Sequence, residues 1–245
     1  MLIKLLVSLL AGWTISAIIN YLADTLPASA SGCPACGSKR HFAKNLLFFQ
    51  PCKSCGYISR RPLVVFAVTV LGLFTAYQYG FQGITVAVMD TVVIAVYLLV
   101  IVIDLEHHLI LHRVTLVGGL GFLIIGYLAH RIIPTLMGLL AGAIFFFIIY
   151  IIGQAYSKFK AKKTGQPVED AIGFGDVTLS AITGLLVGWP NILPVLFYGV
   201  ALGGISSLIY LLIQKVFRNT NVSQSFIPYG PFISVSALIF WFFTR

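Results

Sequence analysis

Asp104 and Asp176 have the most chemistry to offer, because they are two of only seven acidic residues in a chain of 245. Asp176 closes the stretch Gly173-Phe174-Gly175-Asp176, and Asp104 lies in Val102-Ile103-Asp104-Leu105-Glu106-His107-His108-Leu109-Ile110. Each sits at the edge of a long apolar run, where a charge is costly unless it has a task. Two carboxylates that share a proton can hydrolyse a peptide bond: one takes a proton from water while its protonated partner donates to the scissile carbonyl. Gly173 and Gly175 have no β-carbon, so the backbone ahead of Asp176 is expected to bend sharply and to let another chain approach. Asp176 is expected at a helix N-terminus, whose positive dipole end suits a base, and Asp104 at a C-terminus, which suits the acid. The pair reads as the catalytic dyad of an intramembrane aspartyl protease.

The four cysteines form two close pairs, Cys33-Pro34-Ala35-Cys36 and Cys52-Lys53-Ser54-Cys55, each followed by a glycine. Thiolates at this spacing can converge tetrahedrally on one Zn²⁺, with Gly37 and Gly56 allowing the tight turns. Four sulfur ligands leave no open coordination position, so the expected metal is structural. In a reducing compartment disulfides are disfavoured.

The other candidates are weaker. His108 and His112 have the spacing of a helical metal pair, but the HExxH pattern is missing, and Glu106 and Arg113 are read as holding the loop or meeting a charged substrate. Asp90 is expected as a polar contact inside the bundle, Asp24 as a cap or a solvent-facing charge, and Glu169 and Asp170 as loop residues.

These residues are positioned by a chain that is 59% hydrophobic and 9% charged, with a mean hydropathy of +0.98. Such a composition excludes a water-soluble domain and predicts an all-α membrane protein, a polytopic bundle of about eight (six to eight) transmembrane helices. The apolar runs are too long for a transmembrane barrel. Spans are expected over 2–23, 63–80, 84–103, 114–130, 134–156, 177–190, 191–214 and 227–243, with a tight turn from Gly80 to Gly83. The chain divides into a first transmembrane helix (1–23), a cytoplasmic tetracysteine zinc loop (24–62) and a transmembrane peptidase core (63–245). The stretch 157–175, basic and then glycine- and proline-containing, reads as a mobile loop.

Positive residues accumulate on the cytoplasmic side of membranes. With the N-terminus outside, the loops after spans 1, 3, 5 and 7 collect most of the lysines and arginines, which places the cysteine loop, Asp104 and Asp176 on the cytoplasmic face. The net charge of +9 is then a matter of orientation, and nucleic acid is not an expected partner.

The order of these features resembles the bacterial type IV prepilin peptidases: a tetracysteine loop after the first span, Ile103-Asp104-Leu105-Glu106, Gly173-Phe174-Gly175-Asp176 followed by Leu179 and Ala181, and a late Ile227-Pro228-Tyr229-Gly230-Pro231-Phe232. The resemblance implies a multi-pass protein of the bacterial cytoplasmic (inner) membrane that removes the short basic leader of prepilins or pseudopilins after a glycine, at the cytoplasmic face. It carries Asp104 and Asp176 over as catalytic, with Gly173, Gly175 and Glu106 in support, and Cys33, Cys36, Cys52 and Cys55 as metal ligands. In many members it also implies N-methylation of the new terminus with S-adenosylmethionine. Two departures stand out: Thr178 where a lysine is frequent, and Gly12-Trp13-Thr14-Ile15-Ser16 near the first span in place of Gly-Ser-Phe-Leu-Asn. Two alternatives stay open, a presenilin-like GxGD protease and a transporter or assembly scaffold without enzymatic activity.

Overall fold

The computed structural model describes residues 2–27, 36, 55, 61–79, 83–164, 173–217 and 228–243. The described residues form eight α-helices and no strands: α1 (Leu2–Thr25), α2 (Arg61–Tyr79), α3 (Ile84–His107), α4 (His112–His130), α5 (Ile132–Thr164), α6 (Phe174–Val187), α7 (Ile192–Phe217) and α8 (Gly230–Phe243). Six of them, α1 to α5 and α7, are long and apolar enough to cross a membrane. The chain is a polytopic helical membrane protein.

Helices α6 and α8 have 14 residues each, about 21 Å at 1.5 Å per residue, short of the roughly 30 Å of a hydrocarbon core. The reason a short helix is stable is clearest for α6. It touches every other helix of its own unit, α4, α5, α7 and α8, and from Asp176 to Val187 only Thr178 and Ala181 are not fully buried. A helix apolar on all sides belongs in a core, and α6 has protein, rather than lipid, around it.

The chain forms two compact units, one of Met1–His107 with Arg245 and one of His108–Thr244. In the first, α1, α2 and α3 pack on one another. A β-carbon at Gly12 of α1 would fall 2.5 Å from Val70 Cγ2 of α2, so a small residue sets that crossing. Tyr77 and Thr91 share a hydrogen bond of 2.8 Å between α2 and α3, and Asp90 is buried at 1% exposure.

In the second unit, glycines bring α5 and α6 into backbone contact. Gly138 and Gly142 of α5 face Gly184 and Ser180 of α6: a β-carbon at Gly138 would collide with the Gly184 carbonyl, one at Gly184 with the Gly138 carbonyl, and one at Gly142 with the Ser180 carbonyl. Ser180 Oγ donates to the Gly142 carbonyl at 2.9 Å. Each helix offers two small residues four apart, the pattern that lets membrane helices approach closely and gain from packing and interhelical hydrogen bonds. Gly126 of α4 abuts the Leu185 carbonyl in the same manner. On the opposite side Ser236 Oγ of α8 donates to the Val195 carbonyl of α7 at 2.7 Å. The Tyr229 ring lies where Gly203 has no side chain, 2.8 Å from a β-carbon built there, so the Pro228-Tyr229-Gly230-Pro231 stretch seats α8 on α7. Ile227 lies outside the described residues.

Each expected span falls on a helix, six of them long enough to cross a membrane, while those expected at 177–190 and 227–243 fall on the short helices α6 and α8; the remaining differences are at the ends. Helix α3 runs on to His107, past the expected end of the span at 103, and Asp104 lies in its last turn, at the C-terminus expected of it. Helix α5 is 33 residues long and continues to Thr164, which corrects the expectation of a loop from 157. Lysine and alanine are good helix formers, so Ser157-Lys158-Phe159-Lys160-Ala161-Lys162-Lys163 prolongs the helix after the apolar pattern has ended. Residues 165–172 lie outside the described residues, as do 80–82 of the expected turn.

Candidate active site

Asp176 is the third residue of α6 and is 4% exposed. The turn that presents it is closed by two reciprocal hydrogen bonds. The Asp176 amide donates to the Gly173 carbonyl at 3.1 Å, and the Gly173 amide donates to Asp176 Oδ2 at 3.3 Å. A carboxylate in the first turn also meets the positive end of the helix dipole. Thr178, where a lysine is frequent in the resembled family, turns its hydroxyl back onto the Gly175 carbonyl at 2.8 Å.

The two glycines of the motif do different jobs, and neither makes the sharp bend expected of them. Gly173 is extended (φ −82°, ψ 151°), a conformation open to any residue, and among the described residues a β-carbon on it would meet nothing nearer than 3.8 Å. Gly175 lies inside the helix, where a β-carbon would fall 2.7 Å from Ile110 Cβ. The close approach inferred from the sequence therefore occurs at Gly175, and the neighbour is the chain's own Ile110. Positive φ is found instead at Gly83 and Gly188 among the described glycines.

Around this turn the second unit adds aromatic contacts. Phe174, 49% exposed, meets the His112 ring edge-on at 6.2 Å and the Tyr150 ring at 5.9 Å. His108 lies outside any helix at φ 51°, whereas His112 opens α4. The two histidines thus do not share a helix face, and their spacing is not that of a helical metal pair.

In the first unit, Asp104 is 3% exposed in the last turn of α3. Two residues on, Glu106 is held by Arg61, the first residue of α2. Arg61 Nη1 donates to Glu106 Oε2 at 2.6 Å, Nη2 to Asp24 Oδ1 at 2.6 Å and to the Asn20 carbonyl at 3.2 Å, and Nε to Asn20 Oδ1 at 3.1 Å. One planar guanidinium, with donors in a fixed fork, so ties together the ends of α1 and α3 from the first residue of α2. Asp24 is neither a cap nor solvent-facing, as the sequence reading had it, but one arm of this junction. The signal was available in Arg61-Pro62, where proline at the second position of a helix fixes its start and puts the arginine on the first turn.

Of the cysteines, Cys36 and Cys55 are exposed turn residues, and Cys33 and Cys52 lie outside the described residues. Among the described residues no group of three or more His, Cys, Asp or Glu side chains is arranged to hold a metal.

Residues 91–208 match the model of the type IV leader peptidase family, a stretch that includes Asp104, Glu106, Gly173, Gly175 and Asp176. A prepilin leader peptidase/N-methyltransferase of Legionella pneumophila is 29% identical over 189 residues, covering 74% of this chain and 59% of that protein. The chain thus spans about three-fifths of the length of the relative it matches. No solved structure matches.

Proposed function

We propose, on the premise that the chain belongs to the type IV leader peptidase family through residues 91–208, that it is a membrane-embedded aspartic endopeptidase. Its substrate is a prepilin or pseudopilin whose short basic leader it removes at the cytoplasmic face of the inner membrane. The observation that carries this reading is the setting of each carboxylate within its own unit: Asp104 is 3% and Asp176 4% exposed, and each occupies a terminal turn of an apolar helix. A buried carboxylate at a membrane helix end is expensive and is kept where it serves function.

The chemistry follows from two carboxyl groups that share one proton. The ionised aspartate accepts a proton from water, whose oxygen attacks the scissile carbonyl carbon, and the protonated aspartate gives its proton to the carbonyl oxygen. Collapse of the resulting gem-diol breaks the C–N bond: the leaving nitrogen takes the proton first removed from water, and a hydroxyl proton returns to the other carboxylate. Both groups end as they began. We assign Asp176 as the resting base, because its oxygen accepts the Gly173 amide at the positive end of α6, and Asp104 as the acid. The protons of such a dyad belong to the pair.

Glu106 supports a basic leader. With Asp24 it outnumbers Arg61 by one negative charge, and 37% of its side chain is exposed. The tetracysteine set remains a proposed structural zinc site with Cys33, Cys36, Cys52 and Cys55 as ligands, and no catalytic step passes through it. N-methylation of the new terminus from S-adenosylmethionine is proposed from the family resemblance and the relative's name.

The test is co-expression of the full chain with an epitope-tagged prepilin, read by the size shift on an immunoblot. Asp104→Asn and Asp176→Asn should each abolish processing, since loss of general acid–base catalysis costs roughly 10²–10⁴-fold. Normal maturation with both variants would sink the protease reading and favour a transporter or scaffold.

A further inference from the structure

The non-helical segment 108–111 follows α3, the helix of Asp104, and leads into α4. Within the second unit it packs on the turn that presents Asp176. Ile110 fills the bare side of Gly175: a β-carbon there would lie 2.7 Å from Ile110 Cβ, 3.4 Å from its Cγ1 and 3.5 Å from its Cα. Real β-carbons do not approach to 2.7 Å, so the contact exists only because residue 175 is glycine. Two positions further on, the His112 ring braces Phe174 from one side while Tyr150 of α5 braces it from another. Gly175 is therefore packed by the 108–111 segment, and Phe174 by the first residue of α4 and by Tyr150.

We infer that Ile110 is a positioning residue for Asp176, and that the Ile110–Gly175 contact makes the placement of this carboxylate depend on the 108–111 segment. The inference rests on the proposed peptidase activity for its catalytic readout, but the contact itself does not. Gly173 contrasts with it, since among the described residues nothing lies nearer than 3.8 Å to a β-carbon built there. A displaced helix start would move the Asp176 carboxylate, and misplacement by about 1 Å can cost on the order of 100-fold in rate.

The nearest atom to the missing β-carbon is the β-carbon of Ile110, not the end of its side chain, which makes the test sharp. In the full-length protein, Gly175→Ala should lower kcat towards a prepilin substrate by about 10- to 100-fold, with KM little changed. Adding Ile110→Gly should restore most of the lost kcat, whereas adding Ile110→Ala should not, because alanine keeps the offending β-carbon. The same cycle is read by thermal unfolding in detergent, where Gly175→Ala lowers Tm and only Ile110→Gly recovers it.

An active Gly175→Ala protein, equal rescue by Ile110→Ala and Ile110→Gly, or recovery of Tm without recovery of kcat would each overturn the positioning role. If the wild type fails to cut any prepilin, the proposed activity fails instead. The unfolding cycle then still decides the contact, since Tm that ignores the Ile110 substitutions would remove it.

Discussion

Arg61 and Glu106 are joined at 2.6 Å across 45 residues of sequence, and the same guanidinium reaches Asp24 at 2.6 Å. The ends of three helices converge on one side chain, of which 16% is exposed. Arg61→Ala would leave two carboxylates and Asn20 without their donor, and hydrogen bonds to charged groups contribute about 1.5–3 kcal/mol each. The expected outcome is a fall in stability of about 2–4 kcal/mol, measured by thermal unfolding in detergent. Arg61→Lys keeps the charge but loses the planar fork, so it should recover less than half of the loss.

Gly173 and Gly175 should respond differently to the same substitution. Gly173→Ala introduces no clash with the described residues and needs no unusual backbone angle, so its folding stability should change by less than about 0.5 kcal/mol. Any fall in cleavage then reports a β-carbon standing where substrate must pass, 3.9 Å from Asp176 Oδ2. The check is Tm and KM side by side, and a Gly173→Ala protein that unfolds early would remove this division of labour between the two glycines.

The α5–α6 crossing is the most exacting contact in the second unit. Gly138→Val or Gly184→Val would push a branched side chain into the facing backbone carbonyl, where no rotamer change gives relief. Overpacking of this kind costs about 1–3 kcal/mol or more. Both variants should lose yield and melt earlier, and the loss should appear together with lost cleavage, because α6 carries Asp176.

The limits of the sequence reading follow from the same contacts. All eight helices were legible because long apolar runs and the glycine or proline breaks between them are local signals. The ends of α3 and α5 were not, since apolar periodicity stops at Ile103 and Tyr156 while helix propensity does not. Asp104 and Asp176 stood out because carboxylates are scarce in an apolar chain, but Ile110 did not. An isoleucine in a loop carries no signal until its partner is known to lack a β-carbon. Likewise Gly138 and Gly142 show their meaning only against Ser180 and Gly184, some forty residues away.

Chelation tests the cysteine loop. If Cys33, Cys36, Cys52 and Cys55 hold one Zn²⁺, mass spectrometry of the native protein should find one zinc per chain, and Cys36→Ser should remove it. Binding energy at such a site is folding energy. Metal removal should therefore lower Tm first and activity only in proportion, while unchanged stability in the metal-free protein would argue against a structural ion.

The charge of Glu106 can be separated from its structural bond to Arg61. Glu106→Gln keeps an oxygen that accepts from Arg61 and removes only the negative charge, so the junction should survive with Tm nearly unchanged. With 37% of the side chain exposed, its interaction with a lysine or arginine of the leader is screened, on the order of 1 kcal/mol or less. That corresponds to a rise in KM of up to about fivefold with kcat little affected, and it should shrink as salt is raised. A leader whose basic residues are replaced by glutamine should show no difference between the wild type and Glu106→Gln. If the neutral leader is discriminated as strongly as the basic one, Glu106 holds α3 in place and reads nothing of the substrate.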